Sequence, residues 1–329
     1  DIRFSMNLPQ EYGRDLAVVA SLSGEPDSLA GDIYIEAGQV NVSQWRSKFN
    51  LLPGYLVDAN VDVNLWLEID NNIIDTLTTE IKASGLLEKN TTTSKQWQTD
   101  YLSANARYIR EDENWDIAIS DFYFGEASKP AWPMPVNIAA SDDEENYYLS
   151  AEFLRVPDLQ DMLQVFLDVE KSSDFKKLES YGLQGDVYNL NLSLPKELSE
   201  AGLLDKLKLQ ASVNDVSVHD DATGVSLAGL DAVVSYEDEQ LVLNLWSQDT
   251  ELVIPELFRD PIFANKLQGE IIVKRDGDCW RMSSDQLQIK NDHINTYSRL
   301  DVTIAEAGNV FVDIQTDFYD AYGKYARYY

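Results

Sequence analysis

The chain has 329 residues, 44% of them hydrophobic, enough for one large β domain or two ordinary ones and too apolar for a disordered polymer. Its 57 acidic and 26 basic side chains leave a net charge of −31, which excludes DNA and RNA as partners. That charge also opposes flat docking on anionic headgroups and reads as a solvated, repulsive coat over an otherwise sticky sheet.

Taken in chain order, the first alternating stretches predict strands at Arg3–Asn7, Arg14–Leu22 and Gly31–Ala37. A short helix follows at Ser43–Phe49, with Ser43 as its cap, and stops before Pro53-Gly54. Strands at Leu56–Asp70 and Ile73–Leu86 flank the polar turn Asp70-Asn71-Asn72. Within the first, Val61, Val63, Leu65, Leu67 and Ile69 alternate with Asp62, Asn64, Trp66 and Glu68. Because side chains alternate faces along a strand, one face is apolar and the other wet. The next pair, Trp97–Arg110 and Trp115–Phe124, carries Ile117 and Ile119 and is joined by an acidic turn. The run from Lys129 to Pro135 holds three prolines, each lacking a ladder donor, so it is an edge, a crossing or a link.

One more strand, Tyr147–Leu154, precedes the clearest helix. Pro157 and Asp158 start it, and Leu159, Met162, Leu163, Phe166 and Leu167 form a single apolar stripe. A second short helix is expected at Asp174–Tyr181, closed by Gly182. The pair reads either as a lid or plug against the sheet or as an element sealing one end of a core. Strands then resume at Gly185–Leu194, Leu204–Val218, Leu227–Glu237, Gln240–Ser247 and Glu251–Ile254. The last set is Leu267–Lys274, Cys279–Lys290, Thr296–Ala305 and Asn309–Thr316, with a helical tail over Tyr319–Tyr329. The chain opens on Asp1 and closes on Tyr328-Tyr329 in mid-pattern, so it reads as an internal piece of something longer. Two distant hairpins, around 101–115 and 267–280, share the order strand, charged turn, Trp, strand, as in a quasi-repetitive β array.

Catalytic chemistry is not written in the sequence. His219 and His293 have no Cys or second His at metal-ligand spacing and read as turn residues. There is no nucleophile elbow, phosphate-cradling loop or dinucleotide fingerprint. The acidic clusters at 142–145 and 237–239 read as solvated hairpin turns, and Asp276-Gly277-Asp278 lacks the ligand ladder of a calcium loop. Cys279, the lone cysteine, reads as a small buried hydrophobe. No cofactor or metal is expected.

Further motifs point to a family. These are Leu8 to Leu16 leading to Leu29–Ile35, Trp132-Pro133, the leucine-rich helix after Pro157, Leu257–Ile262, and Leu267-x-Gly269 followed by Trp280. In this order, over nearly the whole chain, they resemble the YhdP-type members of the AsmA-like family. The resemblance implies a long Gram-negative envelope protein with an N-terminal inner-membrane helix and a periplasmic β body. It further implies a taco-like groove whose apolar inner face carries phospholipid acyl chains between the inner and outer membranes, with no catalytic residues.

The expected fold is thus mostly β: a long, curved, largely antiparallel sheet of ~15 strands forming an elongated hydrophobic groove, with a few short helices. Its sections are 1–128, the Pro-rich crossing and helices at 129–183, and a continuous second section at 184–329. The expected groove lining is Val61, Val63, Leu65, Leu67, Ile69, Ile117 and Ile119 in the first section. In the second it is Leu207, Leu209, Val213, Leu241, Leu243, Leu245, Ile271, Val273, Val302, Ile304, Val310, Val312 and Ile314. The competing readings are an envelope module binding glycans through surface Trp and Tyr, and a closed structural β scaffold.

Overall fold

The structure is a computed structural model that describes residues 1–49, 55–90, 96–126, 129–166, 180–196, 206–255, 259–277, 279–305 and 310–322. It is mostly β, and the described residues form one open antiparallel sheet of 19 strands and two short helices. Strands paired in register are for the most part successive in the chain, the arrangement that short polar turns favour. The chain divides into two compact units: Asp1–Glu152 with Gln160–Val169, and Phe153–Leu159 with Glu170–Tyr329.

The first unit begins with β1 (Ile2–Asn7), β2 (Asp15–Ser23) and β3 (Ala30–Asn41). The helix α1 (Val42–Phe49) follows directly. Its cap is Asn41 rather than Ser43: Asn41 Oδ1 accepts the Gln44 N–H at 3.2 Å and the Ser43 hydroxyl at 2.7 Å. Next come β4 (Tyr55–Asp70) and β5 (Ile73–Asn90), the latter the longest strand described, at 18 residues. Asn71 and Asn72 between them both have positive φ, as a two-residue hairpin of matching twist requires. The Asn72 side chain also ties the 26–29 loop, accepting from Leu29 N and donating to Pro26 O.

After β6 (Gln96–Glu111) and β7 (Asn114–Gly125), the Lys129–Pro135 segment is a link outside the ladder, in keeping with its missing donors. A strand absent from the sequence reading, β8 (Val136–Asp142), follows and pairs with β7 and with β9 (Asn146–Arg155). Seven residues of modest alternation beside a proline run gave it too little signal. The helix α2 (Val156–Phe166) then begins one residue before Pro157. The helix expected over Asp174–Tyr181 lies outside the described residues except for its last two.

In the second unit, Phe153 and Arg155 at the end of β9 meet β10 (Gln184–Pro195). The Phe153 and Tyr188 rings lie 5.0 Å apart, and Arg155 Nε donates to Asp186 at 3.0 Å. The meander continues through β11 (Lys208–Asp220) and β12 (Val225–Glu237). Two long rungs are each broken in the middle. β13 (Gln240–Ser247) and β14 (Thr250–Val253) both pair with β12. β15 (Ile262–Ala264) pairs with β14, and β16 (Lys266–Asp276) pairs with β13. The three-residue β15 was too short to read from sequence. The sheet finishes with β17 (Cys279–Lys290), β18 (Ile294–Ala305) and β19 (Val310–Ala321). The helix expected from Tyr319 onward is corrected here, because β19 runs on to Ala321 with Thr296 opposite Phe318 and Ile294 opposite Ala321; residues 323–329 lie outside the described residues.

Four mid-strand bulges, two in each unit, carry a left-handed residue in the extra position: Gln39, Asp121, Asn189 and Asp215, all at φ near 50°. An extra residue on one strand bends it and raises its twist locally. Gly269 of β16 sits at φ +147° beside the bulge of β17, where a Cβ would come within 2.4 Å of the Gln286 carbonyl oxygen. Gly269→Ala is therefore expected to cost about 2 kcal/mol or more, read as a lowered urea midpoint at unchanged m-value.

Candidate functional site

Residues directly opposite one another in a ladder share a face, so the registers decide where each aliphatic points. In the first unit Phe4, Val18, Ile35, Leu65, Thr79, Ala106, Ile119, Ile138 and Ala151 form one line across β1 to β9. One rung along, Ile33, Leu67, Leu77, Tyr108, Ile117 and Ala140 repeat it. Val61, Val63, Leu65, Leu67, Ile69, Ile117 and Ile119 thus share a single apolar face, on which Thr79 and Tyr108 are the members of these two lines that carry a hydroxyl. In the second unit Leu192, Leu209, Tyr236, Leu241, Val273, Met282, Val302 and Val312 form the matching line. Val213, Leu243, Leu245, Ile271, Ile304, Val310 and Ile314 lie on the same face, by direct pairing or by two-residue steps. Leu207 stands one residue before β11 and in phase with Leu209.

This face is neither sealed nor fully open. Val61, Val63, Leu65, Leu67, Ile69, Ile117, Ile119, Leu241, Leu243, Ile271 and Val273 are all half-buried, while Leu245 and Val302 are buried. Among the described residues, strands pack mainly against their ladder neighbours and α1 packs on β4; no second sheet makes comparable contact with the apolar face. A sandwich interior would bury these side chains completely. At the outer strands exposure rises: Ile2, Phe4 and Met6 of β1, and Val310, Val312 and Ile314 of β19, stand in solvent.

One part of the first unit's face is covered, by an aromatic cluster that sequence reasoning missed. Trp132, from the proline-rich link, packs 4.7 Å from Phe124 and 5.7 Å from Phe122, and Trp97 lies 5.5 Å from Phe124. Trp97, Phe124, Trp132 and Val136 are the most completely buried large side chains there. The available signal was a tryptophan among prolines, a large ring on a segment too stiff to move aside. Lys129 anchors the same link, bridging Glu126 at 3.2 Å and Asp161 of α2 at 3.0 Å. Of the expected lid residues, Leu159 and Met162 lie half-buried on α2, Leu163 and Phe166 are described by backbone only, and Leu167 lies outside the described residues.

The opposite face is mixed, with Val242 opposite Ile272, and it carries local polar pairs: Asn105 with Asp121, Asn137 with Glu152, Asn214 with Asp231, and Arg281 with Asp301. His219 is exposed at the end of β11, 3.1 Å from Asp221, and His293 is half-buried in the turn before β18. No group of three or more His, Cys, Asp or Glu that could hold a metal occurs among the described residues. Cys279 is half-buried at the start of β17.

The described strands of each unit alternate in phase, and the family match extends over both units. Residues 2–329 match the family model described as YhdP protein. The chain belongs to the YhdP family. That family is envelope-associated. No curated protein and no solved structure matches the chain. Among the described residues of this YhdP-family chain, no helix is long and apolar enough to cross a membrane.

Thr79 is buried opposite Leu65 and Ala106, and its hydroxyl has no hydrogen-bond partner among the described residues; Ser284, opposite Leu300, is in the same position. A desolvated, unpaired hydroxyl opposes folding, so Thr79→Val is expected to raise stability by about 1 kcal/mol in chemical denaturation. On the polar face, the hydrogen bond and charge of Arg281 hold the Asp301 carboxyl below its ordinary 3.8. The stability this pair contributes is present above 3.8 and is lost as pH falls through the depressed value. Asp301→Asn is therefore expected to lower the thermal midpoint at pH 7, the difference from the parent shrinking below pH 3.8.

Proposed function

We propose that this chain is a section of a bridge-like intermembrane phospholipid transport protein, with acyl chains carried along its apolar face between the inner and outer membranes. The observation that carries the reading is the half-buried aliphatic face that runs from strand to strand within each unit. Left bare, a contiguous apolar surface of that extent drives aggregation, so it needs an apolar occupant. Each buried methylene contributes about 0.8 kcal/mol without directional contacts, which lets a lipid slide with little change in energy. Bulges within the strands, which locally raise bend and twist, and the family's envelope association support the same reading.

On this proposal the chain is non-enzymatic, works in the periplasm, and belongs to a parent anchored in the inner membrane by a helix outside this sequence. The α2 stripe of Leu159, Met162, Leu163, Phe166 and Leu167 serves as a lid or plug. A closed scaffold is disfavoured because Leu65 and Leu243 are half-buried rather than sealed.

The test is native mass spectrometry with lipid extraction after incubation with phosphatidylethanolamine vesicles. Co-purifying or acquired phospholipid is expected, and Leu65→Asp and Leu243→Asp are each expected to reduce it about tenfold while preserving the far-UV circular dichroism. A chain that stays unloaded, or variants that unfold because these leucines are core, would overturn the proposal.

A further inference from the structure

The polar face of the first unit carries an arrangement that lipid carriage does not use. Tyr34 of β3 stands opposite Trp66 of β4, their rings 5.2 Å apart and tilted by 35°. Trp66 is 40% exposed although it lies in the middle of the sheet, where a large ring could have been turned inward. Both rings alternate with Ile33, Ile35, Leu65 and Leu67, so they point away from the apolar face.

One rung along the strands, about 7 Å away, Glu36, Asn64 and Glu80 lie side by side. Tyr34 donates its hydroxyl hydrogen to Glu36 at 3.2 Å, and Asn64 donates to Glu80 at 3.1 Å. The next rung places Asp62 opposite Lys82, with Asp62 also accepting the Gln39 N–H at 2.8 Å. Here the β1–β2 loop folds against the sheet, fixed by Arg14 N–H to Gly38 O at 2.8 Å and by Trp45 Nε1–H to Tyr12 O at 2.8 Å. The result is a pair of adjoining cavities of about 680 and 320 Å³ that share Arg14, Asp62 and Lys82, the smaller reaching Glu36, Asn64 and Glu80. Their size is that of small-ligand sites.

We infer that this cleft binds an uncharged oligosaccharide, one pyranose stacking its C–H face on Trp66 and Tyr34 while the following sugars hydrogen-bond along the cleft. An exposed aromatic pair offers a flat apolar platform with little ordering cost, which suits the apolar face of a sugar ring. Hydroxyl groups both donate and accept. Carboxylates at 36, 62 and 80 with an amide and two cations supply both complements within two rungs. Arg14 is ion-paired with Asp15 at 3.0 Å, so the three carboxylates outweigh Lys82 and leave the cleft negative, which disfavours polyanionic sugars and phosphates.

The experiment is saturation-transfer difference NMR on the intact chain with tri-N-acetylchitotriose, maltotriose and, as a competing ligand class, a basic octapeptide. At least one trisaccharide is expected to bind, with saturation strongest on one face of a ring. Trp66→Ala is expected to abolish the effect and Trp66→Phe to retain it in part. Asn64→Ala is expected to weaken affinity about tenfold. Phospholipid load should be unchanged in all three variants, since the cleft faces away from the aliphatic surface. Absence of a saccharide signal at millimolar concentration, survival of the signal in Trp66→Ala, or binding of the peptide alone would each overturn the inference.

Discussion

Everything in this molecule depends on the phase of strand pairing. A strand repeats every two residues, so a slip of one residue in any ladder would exchange the apolar and polar faces of all strands beyond it. The registers keep phase from β1 to β9 in the first unit and from β10 to β19 in the second. Where a bulge inserts an extra residue, as at Gln39, Asp121, Asn189 and Asp215, the left-handed turn of that residue restores the alternation instead of inverting it. Asp, Asn and Gln at these positions tolerate positive φ and hydrogen-bond to neighbouring strands, as Asp121 does with Asn105. Facial segregation is thereby kept through the bulges.

Such segregation creates an energetic problem and its use together. A single-layer sheet leaves its aliphatics half-buried, so the apolar face retains unspent hydrophobic free energy. The Trp97–Phe122–Phe124–Trp132 cluster covers one part, by bringing a proline-stiffened link over the sheet. The remainder is a surface with few directional contacts, which suits a sliding ligand better than a fixed one. Acidic residues on the far side give the opposite behaviour, with localised pairs, an aromatic platform and a polar cleft. On the proposals made above, the two faces would serve two kinds of recognition, non-directional on one side and directional on the other.

Much of this could be read in the chain. Leu65 and Leu67 against Trp66 and Glu68, or Leu241 and Leu243 against Val242 and Asn244, declare the strand period and its phase directly. Asn71-Asn72 declares its hairpin. Weak signals failed where local pattern was short: β8 beside the prolines, three-residue β15, and the end of β19, where a helical tail was expected over Tyr319–Tyr329. The cap of α1 was misplaced by two residues because Asn41 and Ser43 are both good caps, and only the bond from Gln44 N–H distinguishes them.

Alternation along each segment, the polar turns between segments and the absence of catalytic spacing were determined by sequence alone, because they are local and need no partner. Tertiary structure decided whether aliphatics from distant segments share one face, since that depends on every intervening register and bulge. It also decided that Tyr34 meets Trp66, that Trp132 covers Phe124, and that Arg14 closes a cleft with Lys82. Such contacts join residues far apart in the chain, and pairing geometry fixes them where composition cannot.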